Sequence, residues 1–228
     1  MASIGRLIGS GRSADIYEYG EGRVLRRDRS DPVSRAEPMV MRAVRSAGFP
    51  VPQVYAVDGS DLVMDRVDGV DLLTHLSKRP WRAHPVGVML ADLHRQLAAI
   101  PVGETDLSPE IGALESYVHG DLHPGNVLLT SDGPVVIDWE GAGVGARDAD
   151  IATTWLLLET ADADNVPLLI RPLVGLIRRT VLRAFVNRVV APRVDTVAAV
   201  CTRRLDDPNM RPHELERIRA FASGYSVR

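Results

Sequence analysis

Between residues 119 and 140 the sequence leaves the backbone few options. The polar run His119-Gly120-Asp121-Leu122-His123-Pro124-Gly125-Asn126 carries proline and glycine in its second half, so it cannot continue as a regular helix. Two apolar stretches follow, Val127 to Leu129 and Val135 to Ile137, separated by Ser131-Asp132-Gly133, which is the pattern of a β-hairpin. A loop that feeds a hairpin turns the chain back on itself. Asp138, at the end of the second strand, is therefore expected to face the same point as Asp121 and Asn126 in the loop. Two carboxylates and one carboxamide gathered in this way suit a hard divalent cation and a hydroxyl that must lose a proton.

Each residue also has a plainer reading. A loop Asp followed by Gly and Asn is ordinary turn chemistry when met alone. His119, Asp121, Asn126 and Asp138 in this order, flanked by apolar strands, make a much more specific set. His119 and His123 stand four apart and invite a zinc reading. It is set aside because Pro124-Gly125 breaks the helix on which such a pair would converge, and no further His/Cys cluster lies near to complete a site.

Upstream, Ile4 to Arg27 reads as three short strands, with Gly20-Glu21-Gly22 placed to turn a hairpin. Gly9-Ser10-Gly11-Arg12-Ser13 falls between the first strand, expected to end at Ile8, and a second beginning near Asp15. Glycines there let backbone N–H groups approach phosphate oxygens, and a strand rather than a helix follows, which disfavours a dinucleotide-binding βαβ unit. The alternative for this segment is a simple hairpin turn. Apolar spacing at Met39, Val40, Ala43 and Val44 predicts a helix ended by Gly48 and Pro50, with Ser34 and Glu37 fitting a capping box. Val51 to Val67 supplies two more strands around Gly59. A short helix is expected at 72–76, a strong amphipathic one at 86–100, and helices over 166–190 and 215–221, with a break at Pro172.

Composition narrows the partners. The net charge is −3 and only 5% of residues are aromatic, which speaks against a nucleic-acid partner. Cys201 is the sole cysteine, so no intrachain disulfide can form. No apolar run approaches the length of a membrane span or a signal peptide, so a cytoplasmic protein without a membrane partner is expected. Lys78 is the one lysine among 27 basic residues.

The run from His119 to Asn126, with Asp138-Trp139-Glu140 after the hairpin and Asp150 further on, resembles the aminoglycoside phosphotransferase family of small-molecule kinases, over most of residues 5 to 155. The resemblance implies an α+β, bilobal protein-kinase-like fold: a small antiparallel sheet lobe with one helix over residues 1–67, binding nucleotide, and a mainly helical lobe over 68–228. It implies ATP or GTP as co-substrate, Mg2+ as cofactor, a small hydroxylated molecule as acceptor, and a monomer or homodimer. Carried over, Asp121 is the catalytic base, Asn126 and Asp138 hold the metal, Asp150 braces the loop, and His119 and Trp139 are structural. Gly9, Ser10, Gly11, Arg12 and Ser13 belong to the phosphate loop, and Asp65 to Val67 to the hinge that meets the nucleobase.

One position departs from the family. Where it carries a lysine paired with a helix glutamate, this chain has Arg26, with Glu37 as the matching partner. Arginine keeps the charge but not the geometry. Either Arg26 clamps phosphate, giving an active kinase, or triphosphate binding is weakened and the chain is a pseudokinase or nucleotide-binding regulatory module. From residue 151 onward 12 arginines stand against 8 acids, which argues against a polycationic acceptor, although Glu159, Asp162 and Asp164 offer a local acidic rim.

Overall fold

The computed structural model describes residues 3–11, 13–160, 167–206 and 210–225. Its first part is a five-stranded antiparallel sheet, built from β1 (Ile4–Ser10), β2 (Ala14–Tyr19), β3 (Arg23–Asp28), β4 (Val54–Asp58) and β5 (Asp61–Asp65) in the order β1-β2-β3-β5-β4. The β2–β3 hairpin closes with Glu18 opposite Val24, and Gly20 and Gly22 both take the left-handed φ that a tight turn needs. Val24, Leu25 and Arg26 are consecutive and all buried, so both faces of the central strand β3 are covered.

Helix α1 (Ala36–Ser46) lies between β3 and β4 in sequence and buries Val40, Met41 and Val44. The expected capping box does not form. Ser34 Oγ accepts only from the Ala36 N–H, at 3.3 Å, and the Glu37 side chain turns into the protein, where it is 1% exposed. A cationic partner inside the lobe outcompetes a solvent-facing cap.

The second part begins with β6 (Val70–Asp71) and α2 (Leu72–Lys78), whose first turn is capped by Asp71 accepting from the Thr74 N–H at 2.9 Å. Helix α3 (Ala83–Ala98) forms where the amphipathic helix over 86–100 is expected, three residues earlier, and buries Val86, Leu90, Leu93 and Leu97 at helical spacing, with Val88 and Met89 only partly buried. After β7 (Ser116–Val118) comes the polar loop, then the hairpin of β8 (Val127–Thr130) and β9 (Gly133–Val136) that its apolar runs foretold. Strand β10 (Gly143–Gly145) pairs back on β7, and α4 (Ala149–Thr160), α5 (Arg171–Val186), α6 (Val194–Leu205) and α7 (Pro212–Tyr225) complete the chain.

Pro172 falls in the first turn of α5, where its missing N–H costs nothing, so it starts a helix rather than interrupting one. The expected helix over 166–190 is thus shorter, and residue 166 lies outside the described residues. Helices α3 and α5 cross closely because Gly87 has no Cβ: one there would stand 2.3 Å from the Val181 carbonyl oxygen. The main core runs unbroken from Val40 and Leu62 in the sheet lobe through Leu90 and Leu122 to Phe185, and a smaller one joins Leu156, Val197 and Ile218. No described helix is long and apolar enough to cross a membrane.

Candidate active site

The loop after β7 is fixed from three sides. Asp150, in the first turn of α4, accepts from the backbone N–H groups of His119 at 2.6 Å and Gly120 at 2.7 Å. Burial pushes its carboxyl up to about 6, against the pull of those two bonds. Gly120 takes φ 81°, and a Cβ there would meet the Gly141 carbonyl oxygen at 2.4 Å, so the loop passes the segment after Asp138 backbone against backbone. Leu122 is fully buried, and its carbonyl accepts from Thr154 Oγ1, which lies 2.9 Å from His94 Nε2 on α3.

His119 is structural. Its Nε2 lies 3.0 Å from the Ile137 carbonyl and its Nδ1 accepts from the Asp121 N–H at 3.2 Å, which occupies both ring nitrogens. Burial holds it neutral, with a pKa near 4. Trp139 packs against it and edge-on to Phe49, is 1% exposed, and donates from Nε1 to the Val136 carbonyl at 3.0 Å.

Those supports bring Asp121, Asn126 and Asp138 to one cleft. Asn126 Nδ2 donates to the Asp121 carbonyl oxygen at 2.9 Å and to its Oδ2 at 3.3 Å, which turns the amide oxygen the other way. The Ile137 N–H donates to the Asn126 carbonyl at 2.9 Å, closing the hairpin's two ends on each other. Asp138 then takes φ 64°, the only left-handed residue besides glycines among those described. Such backbone strain persists where the surrounding structure enforces it, commonly at functional sites.

The electrostatics differ between the two acids. Burial alone would raise Asp121, but a hydrogen bond from His123 and the charges of Arg204 and His123 outweigh it, so its carboxyl lies below the ordinary value. Asp121 is therefore an ionised carboxylate at neutral pH. Its Oδ1 is bonded by Arg204 Nη2 from α6, and its Oδ2 is 3.5 Å from His123 Nε2. Asp138 is raised instead, chiefly by burial and then by Glu140 and Asp121, with Arg26 opposing. Among the described residues no donor is bonded to the Asp138 carboxylate. A carboxylate raised by neighbouring acids and without a bonded donor, in the same cleft as Asn126, fits a hard divalent cation that takes its remaining oxygens from phosphate and water.

In the sheet lobe Arg26 donates from Nη1 and Nη2 to the two carboxylate oxygens of Glu37, and from Nη2 to Asp28 Oδ2 at 3.0 Å. Of the residues expected to form a phosphate loop, Gly11 and Ser13 line the cleft, while Gly9 and Ser10 are ladder residues of β1, opposite Ile16 and Asp15. The strand runs two residues further than its expected end at Ile8, because Ser10 Oγ is fastened to Asp15 and Arg29. Arg12 lies outside the described residues. Ser13 Oγ donates to Glu140 Oε2 at 2.9 Å, joining this loop to the segment that follows Asp138.

In the segment expected to join the lobes, the Asp65 carboxylate accepts from the Gln53 N–H and from Tyr55 Oη. The N–H groups of Asp65 and Arg66 go to the Gln53 and Gly22 carbonyls. Asp65 and Val67 both line the cleft. Three neighbours of the site escaped the sequence reading: Asp28, Thr154 and Arg204. Arg204 is 83 residues from Asp121, and no local pattern announces such a contact.

A family model described as the phosphotransferase enzyme family (APH) matches residues 4–115 and 113–173. Comparison with curated proteins returns no match. Among solved structures, the chain is similar to aminoglycoside phosphotransferase APH(4)-Ia, at TM-score 0.63 and 17% identity over 99% of this chain and 93% of that one. It is also similar to an ethanolamine kinase of Plasmodium vivax, at TM-score 0.56 and 10% identity over 98% and 82%. A third similar structure is the amicoumacin kinase hAmiN in complex with AMP-PNP and Ca2+, at TM-score 0.55 and 13% identity over 98% and 88%. At these identities the likeness establishes the kinase-like fold.

Proposed function

Because this chain belongs to the phosphotransferase enzyme family, we propose that it moves the γ-phosphoryl group of ATP or GTP to a hydroxyl of a small molecule, with Asp121 as base. The observation that supports this reading is that Asp121, Asn126 and Asp138 line one cleft, together with the buried Arg26–Glu37 pair.

In this reading the sheet lobe, to about Val67, binds the nucleotide and the helical lobe binds the acceptor. The nucleobase stacks under the sheet, with the hinge N–H of Val67 left to meet it. Arg26 sets a fixed positive charge at the phosphate end of the cleft, its position held by Glu37. Asn126 and Asp138 hold Mg2+, which supplies charge neutralisation on the phosphate oxygens when bound. Asp121 accepts the acceptor's hydroxyl proton as that oxygen bonds to the γ-phosphorus. The bridging oxygen leaves with its electron pair on the nucleoside diphosphate. Ser13, tethered to Glu140, keeps the glycine-containing turn over the phosphates. The single buried cysteine suits a reducing, cytoplasmic setting.

The test is Asp121→Asn, assayed by transfer of labelled γ-phosphate into a library of small alcohols. The expected loss is about 10²–10⁴-fold, with the unfolding midpoint little changed. Unimpaired transfer by the variant would remove Asp121 from the mechanism.

A further inference from the structure

The helices after Asp150 bring arginines to the cleft. Arg171, Arg178, Arg204, Arg211 and Arg217 line it, with Glu159 and Glu214 as the described acids of the same helices. Asp162 and Asp164, expected in an acidic rim, lie outside the described residues. Arg178 and Arg217 each donate to a carbonyl at the end of α4, those of Glu159 and Thr160, and Glu214 accepts from the Arg211 N–H as a cap for α7. Arg204 differs from these, because its guanidinium reaches Asp121 itself.

That contact restricts what can approach. An acceptor hydroxyl must come within hydrogen-bonding distance of Asp121, and so within reach of the Arg204 guanidinium. A cationic group beside that hydroxyl would meet a like charge in a partly desolvated cleft, which is costly. An anionic group there would meet a planar fork that matches carboxylate geometry.

Building on the phosphotransfer reading above, we infer that the acceptor is a small hydroxy acid, whose carboxylate pairs with Arg204 while its hydroxyl faces Asp121. Leu157, Val174, Ile177 and Met210 line the same cleft and leave room for an apolar portion. In the transfer the hydroxyl oxygen bonds to the γ-phosphorus, its proton goes to Asp121, and the nucleoside diphosphate departs. The product is a phosphomonoester that retains its carboxylate.

The experiment compares matched alcohols with purified protein and Mg-ATP or Mg-GTP: glycerate against glycerol, gluconate against glucose, and kanamycin as polycation. Binding is followed by thermal shift and transfer by nucleotide consumption, in the wild type, Arg204→Gln and Asp121→Asn. The inference expects the acids to bind and react, with kcat/KM at least about 10-fold above their neutral counterparts. It also expects Arg204→Gln to raise KM for the acids by roughly 10–100-fold more than it raises KM for the neutral alcohols. Equal loss on acids and neutral alcohols would make Arg204 a structural ion pair and overturn it. So would better turnover of glycerol, glucose or kanamycin than of the acids, and if Asp121→Asn abolished that turnover the phosphotransfer reading would stand alone. Failure of every acid both to bind and to react also overturns it, while transfer unaffected by Asp121→Asn strikes the phosphotransfer reading instead.

Discussion

Glu37 on α1 takes two hydrogen bonds from Arg26 on β3, at 2.6 and 2.7 Å, with both side chains buried. The pair ties the lobe's helix to its central strand. It is also what arginine does differently from lysine: a planar fork meets both carboxylate oxygens at once and still reaches Asp28.

Removing one partner leaves buried charge without compensation. Arg26→Met is expected to destabilise the chain by about 3–5 kcal/mol, because Glu37 and Asp28 lose their cation. Arg26→Met with Glu37→Leu should recover a substantial part of that loss, since a buried ion pair replaced by apolar side chains is often nearly neutral. Urea unfolding of the two single variants and the double variant checks this as a cycle. Additive losses would show that the pair is not the link between helix and strand.

Two glycines separate crowding from chemistry. Gly120→Ala places a Cβ against the Gly141 carbonyl oxygen at a left-handed backbone, so it should destabilise by more than about 2 kcal/mol and displace Asp121. Gly9→Ala meets only the Ile16 side chain at 3.6 Å, an ordinary contact, and should alter stability by less than about 1 kcal/mol and leave nucleotide KM within a few-fold. Thermal melts with nucleotide titration test both. A large rise in nucleotide KM for Gly9→Ala would mean that this strand residue approaches the phosphates after all.

Asp150 sets a pH dependence of stability. Its carboxyl is raised from 3.8 to about 6 in the folded chain, so the folded state holds the proton more tightly than the unfolded one. This group's contribution therefore favours folding at acid pH and weakens as pH rises from about 4 to 6, by about 3 kcal/mol in all. The difference in unfolding free energy between wild type and Asp150→Asn should fall by that amount between pH 4 and 7, then level off. Parallel profiles would show that burial of the charge is not what Asp150 contributes.

Much of the site could be read along the chain because its members are bound to local backbone geometry. Asp121 and Asn126 are five apart in a loop that proline and glycine keep from becoming helix, and the hairpin that returns Asp138 was visible in two apolar runs. The pairing of Arg26 with Glu37 came from the family resemblance, since local spacing by itself assigned Glu37 to a cap. The capping box failed because Ser34 and Glu37 carry the right spacing for two different bonds, and spacing carries no information about burial. Gly9 and Ser10 were assigned to a turn because the side chains that extend β1, those of Asp15 and Arg29, act across the sheet.

The sequence by itself determined the sheet strands before residue 66, the first helix and the hairpin after the polar loop, since turn chemistry and apolar period act over a few residues. Only the tertiary structure decided which cation meets Asp121 and which residues face the cleft. Arg204 reaches Asp121 because α6 packs beside α4 through buried Val197, Val200 and Leu156. That packing follows from how whole helical faces fit together, and no short stretch of sequence encodes it.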